Sequence, residues 1–132
     1  MRLTMPRILF VLLAGLALSL AACSSAVSTP TPASESLKIS LTTNPDPLQS
    51  GNVELTVEVQ DTRDQPIDDA RVFIFANHRD MVGMGAEYDV VAQGDGRYKA
   101  TVNLGMDGRW RFTVQVNQDS ERVVVDFDLE TK

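Results

Sequence analysis

The chain has 132 residues, with 12 basic against 18 acidic side chains, one histidine and one cysteine. A lone cysteine rules out an intrachain disulfide, and a net charge of −6 disfavours nucleic acid and bare anionic lipid as partners. There is no His–nucleophile pair, no H-E-x-x-H and no phosphate-cradling glycine loop in the sequence, so a non-enzymatic protein is expected.

The first element is a processing signal rather than part of a fold. Arg2 and Arg7 precede and flank an apolar run, Ile8–Leu20, that is short for a bilayer span. Ala21, Ala22 and Cys23 follow, and "LAAC" resembles a bacterial lipobox. That resemblance implies cleavage before Cys23, a lipid on its sulfur, and attachment to a bacterial membrane on the extracytoplasmic side. The expected divisions are a signal peptide at 1–22, the lipidated cysteine and a tether at 23–36, and one domain at 37–132. The tether, "SSAVSTPTPASES", is rich in Ser, Thr, Pro and Ala. It has too little apolar surface to offset the entropy of ordering, so a disordered spacer is expected, reaching about 40 Å at most. Without Arg2 and Arg7 the mature chain keeps ten basic and all eighteen acidic residues, a net charge of −8. The lipid, not charge, is then what holds it to the membrane.

From Leu37 onward the dominant period is two, as expected for half-buried strands. "LKISLTT" alternates Leu37, Ile39 and Leu41; "NVELTVEVQ" alternates Val53, Leu55, Val57 and Val59. "ARVFIFAN" sets Ala70, Val72, Ile74 and Ala76 on one face, with Phe73 and Phe75 on the other. "AEYDVVAQ" is a weaker strand. "RYKATVNL", "RWRFTVQV" and "RVVVDFDLE" alternate again, and the second of these places Trp110 inside. Turn-forming segments such as "NPDPLQSG", "QGDG" and "GMDG" separate them. About seven short strands without a helical period predict an all-β fold, an immunoglobulin-like antiparallel β-sandwich.

If each strand crosses the sandwich and the next returns, the connections alternate between its ends. Asn44–Gly51, His78–Gly85 and Gly105–Gly108 fall at one end; Asp61–Asp69, Gly94–Gly96 and Gln118–Glu121 fall at the other, with the tether. The tethered end collects aspartates, whose spacing fits solvated turns better than a calcium loop. The far end collects His78, Met81, Met84 and Met106, the only histidine and every methionine beyond the signal. Thioether is a soft, neutral ligand suited to Cu(I), and imidazole can complete such a site. Methionine is also an adaptable filler for the open end of a sandwich. Both readings stand at this point: a metal site of His78, Met81, Met84 and Met106, or a plug. Phe73 and Phe75 likewise read either as covered core or as a patch for a partner protein.

"QPIDDARVFIF", then "MVGMG", then "GDGRYKATVNLGMDGRWRFTVQV" resemble the YtkA-like domain, a relative of the FixH proteins. The residues that carry the resemblance are Pro66, Ile67, Ala70 and Val72, then Met81 and Met84, then Gly94, Gly96 and Tyr98, then Gly108 and Trp110. The resemblance implies an immunoglobulin-like extracytoplasmic domain of the kind found as lipoproteins beside copper-handling or oxidase-assembly proteins. This chain has Val82 where the family often has proline, and its histidine precedes the methionines. The sequence therefore leads to a lipid-anchored binding domain. Its expected task is low-affinity copper handling with a copper-handling or envelope protein as partner; the alternative is a metal-free interaction or structural module.

Overall fold

The computed structural model describes residues 36–132. The expected signal peptide, Cys23 and all of the expected tether except Ser36 lie outside the described residues. Eight strands run in chain order: β1 Leu37–Asn44, β2 Gly51–Asp61, β3 Arg71–His78, β4 Gly85–Tyr88, β5 Val91–Gly94, β6 Arg97–Leu104, β7 Arg109–Gln118 and β8 Glu121–Glu130. They form two four-stranded antiparallel sheets, in the orders β1-β2-β6-β5 and β4-β3-β7-β8. This is a sandwich of the immunoglobulin type.

The period of two becomes burial directly. Ile39, Val53, Leu55, Val57, Val59 and Val102 point inward from the first sheet, and Ile74, Phe112, Val114 and Val116 point inward from the second. Trp110 is buried at 3% exposure, as its alternation predicts. The two inner faces form one apolar core that is removed from water.

One element departs from expectation. The weak strand "AEYDVVAQ" is two strands. β4 pairs with β3 in one sheet, and β5 pairs with β6 in the other. The chain changes sheets at Asp89 and Val90 between them. Neither half can alternate cleanly while the chain turns from one layer to the other, which is why its period is poor.

The strand parity holds. At one end, Lys132 N–H donates to Leu48 O, Thr131 N–H donates to Gly108 O, and the ring of His78 reaches Asp107 O. These bonds join the β1–β2, β6–β7 and β3–β4 connections and the C-terminus. At the other end, Asp68 accepts from Gly96 N–H, Asp69 accepts from Gln118 Nε2, and Ser36 bonds to Glu121. The last contact places the start of β1 beside the β7–β8 turn.

Candidate functional site

The free end is built on the end of β3. Continuing the alternation of Ile74 and Ala76 by one step turns His78 inward, and it is buried at 8% exposure. It is neither a loop residue nor solvated; it closes the strand. Its ring meets Trp110 edge to face at 5.0 Å. Its Nε2 lies 3.2 Å from Asp107 O, and its Nδ1 lies 3.2 Å from the Asp80 backbone N. Nε2–H therefore donates and Nδ1 accepts, the tautomer that satisfies both partners. Gly108, at φ +134°, lets the ring in: a Cβ there would sit 2.5 Å from His78 Nε2.

Around this ring the β3–β4 loop is fastened at its root. His78 N–H donates to Met84 O, and Arg79 N–H donates to Arg109 O. Asp80 forms an ion pair with the Arg109 guanidinium, and hydrogen bonding from Arg109 holds the Asp80 carboxyl below the usual carboxylate range. Arg79 and Arg111 share Asp128. The root is thus fixed, while the tip projects. Val82 is fully exposed, Met81 is 44% exposed and Met84 is 36% exposed.

The three methionines divide. Met106 packs against the core, and its carbonyl accepts from Trp110 Nε1 at 3.3 Å. The plug expectation describes this residue. Met81 and Met84 stand out of the core instead. Met84 does share an open cleft of about 240 Å³ with Trp110, Tyr88, Ala76, Asn103 and Gly105. The structure therefore brings His78, Met84 and Met106 around Trp110, and leaves Met81 at the tip.

For a soft ion the fit is partial. Met81 and Met84 carry exposed thioether side chains. His78 has both nitrogens engaged and would have to give up one bond to become a ligand. Harder sites lack a basis: among the described residues no group of three or more His, Cys, Asp or Glu side chains stands close enough to hold a metal ion.

The tethered end uses its aspartates as caps. Asp61 accepts from the backbone N–H groups of Arg63 and Gln65, which lowers its pKa, the Gln65 bond most strongly. Tyr98 OH donates to Ile67 O at 2.7 Å and accepts from Ala70 N–H at 3.1 Å, and burial raises its pKa. Gly96, at φ +68°, is required because a Cβ would meet Val59 O at 2.5 Å. The motif residues Pro66, Ile67, Ala70, Gly96 and Tyr98 are thus one structural unit, the clasp of the β2–β3 connection. Phe73 and Phe75 are half-buried on the outer face of the β4-β3-β7-β8 sheet.

The profile of the YtkA-like family matches residues 31–115. It spans β1 to β6 and most of β7, and includes the clasp and the methionine loop; β8 lies beyond it. No curated protein matches the chain in sequence. Among solved structures, the chain is similar to a DUF4426 family protein from Pseudomonas aeruginosa, with a TM-score of 0.58 and 15% identity over 76% of this chain and 94% of that one. At that identity the likeness is one of fold.

Proposed function

This chain belongs to the YtkA-like family, and from that premise we propose that it is a non-enzymatic, extracytoplasmic binding domain, anchored by lipid on Cys23, that takes up Cu(I) weakly as cargo. Met81 and Met84 supply the thioether donors. Met106, packed against the core from the neighbouring turn, supports the loop rather than supplying a donor. His78 positions the loop by fastening its root to Asp107 and to the Asp80 backbone. The observation that supports this reading most is the exposure of Met81 and Met84. Packing gives no reason to place two flexible apolar side chains in water, whereas a soft ion needs donors that it can reach. A site with few neutral ligands and an open approach suits transfer to a partner copper-handling protein better than storage.

X-ray absorption at the copper edge of the Cu(I)-loaded chain tests the reading. Sulfur scatterers that disappear in the Met81→Leu, Met84→Leu double variant support it. A spectrum dominated by nitrogen or oxygen in the wild type overturns it.

Val82 favours a second reading. A fully exposed valine between two exposed methionines makes the loop tip an apolar contact for an envelope protein, without metal. In that case Val82→Asp abolishes binding of the partner while Met81→Leu and Met84→Leu preserve it.

A further inference from the structure

The outer face of the β4-β3-β7-β8 sheet carries a pattern that the copper reading does not use. Register places its outward side chains in rows across the strands. Arg71, Asn117 and Arg122 form the row nearest the tether. Phe73, Gln115 and Val124 form the next. Glu87, Phe75, Thr113 and Asp126 form the third. The rows are therefore basic, apolar and acidic in that order.

The basic row is unusually available, whereas Asp126 in the acidic row already accepts from Thr113 Oγ1 and lies 3.5 Å from the Arg111 guanidinium. Every other arginine among the described residues holds a carboxylate: Arg63, Arg79, Arg97, Arg109 and Arg111 are all ion-paired. Arg71 and Arg122 are not, and Arg122 reaches only the amide oxygen of Gln115. In a chain with such an acidic excess, two guanidiniums without a carboxylate, flanking Asn117 in one row, mark a surface that lacks its complement. The apolar row between them and the acidic row includes Val124, 51% exposed.

The complement is the same surface turned around. We propose that two copies of this chain dock these sheets face to face about a twofold axis lying over the Phe73–Gln115–Val124 row and crossing the strands. That operation lays each strand antiparallel over its own copy. It leaves the apolar row facing itself and sets each basic row over the acidic row of the other copy. Arg122 meets Asp126 of the second copy; Arg71 lies over the ring of Phe75 and reaches Glu87 of the second copy. The other in-plane axis, along the strands, sets arginine against arginine and is rejected on charge. Three rows of strands cover only a few hundred Å² per copy, roughly half or less of a standard interface. The dimer is therefore weak and depends on concentration. This inference stands independently of the copper reading.

The axis makes a sharp test. In the full chain in detergent, with Cys23→Ser removing the one native cysteine, Val124→Cys lies on the axis and is expected to form an intermolecular disulfide under a mild thiol oxidant. Ser40→Cys, on the outer face of the opposite sheet, is expected to cross-link far more slowly. Equal rates for the two overturn the proposal. Arg122→Asp alone and Asp126→Arg alone are each expected to weaken self-association in sedimentation by about tenfold, and the double variant to restore it. A double variant as weak as either single one, or singles that behave as wild type, overturns it as well. Circular dichroism confirms that each variant is folded.

Discussion

The two ends of the sandwich are made from the same materials, short loops rich in glycine and aspartate, and are finished differently. At the tethered end three polar side chains are turned back onto the backbone: Asp61 caps its own turn, Asp68 caps Gly96, and Tyr98 bonds both Ile67 and Ala70. At the free end only the root of the loop is fastened, by the His78 ring on the backbone and by the Asp80–Arg109 ion pair. Beyond Asp80 the chain makes a tip whose large side chains face water. A closed end serves stability. An end closed at its root and open at its tip holds a binding loop steady without covering it.

That contrast is broken most severely from below. Trp110 supports the free end from the core, under His78 and beside Met84. Trp110→Ala is expected to cost about 3–5 kcal/mol in chemical denaturation. It is also expected to weaken ligand binding at the tip, since the floor of the loop is removed.

Tyr98→Phe probes the tethered end. It leaves Ile67 O and Ala70 N–H without their partner, at a cost of about 1–3 kcal/mol, with no change in Cu(I) affinity. A variant that loses affinity along with stability shows that the two ends are coupled and that the contrast is false.

Met81→Leu and Met84→Leu are expected to be the mildest for the fold, within about 0.5 kcal/mol each, because exposed side chains of similar volume are exchanged. A loss above about 1.5 kcal/mol shows that the tip is packed in solution.

The acid limit sharpens the same picture. Asp80 is held ionised below its usual range by Arg109. A depressed carboxylate contributes stability above its unfolded pKa and loses it as pH falls through the lower folded one. Asp80→Asn is therefore expected to loosen the loop root near neutral pH, read as faster exchange of the His78 and Arg79 amides. The difference from wild type should vanish in strong acid.

Much of this was legible in the sequence. Strand alternation and glycine turns predict the sandwich, the parity of its ends and the burial of Trp110. The sheet change at Asp89–Val90 was not legible, because a strand that crosses layers satisfies neither face and leaves only a weak period. The burial of His78 had a signal that went unused: it continues Ile74 and Ala76 at the same parity. Recognising it required seeing that Gly108, 30 residues on in the chain but adjacent in space, makes room for the ring. The division of the methionines had no signal at all, since three similar side chains in two loops differ only in which of them the loop root pulls inward. The basic, apolar and acidic rows depend on register across three strands, which alternation within each strand does not fix.

The central claim is that the exposed thioethers at the free end are donors. Cu(I) titration of the chain against a weak competing chelator tests it most directly, comparing wild type with the Met81→Leu, Met84→Leu double variant, whose fold is expected to be intact. The account predicts saturable binding by the wild type and a loss of at least about tenfold in the variant, with little change between about pH 7 and pH 6, because thioethers carry no proton to lose. No binding by the wild type, or equal binding by the variant, contradicts it.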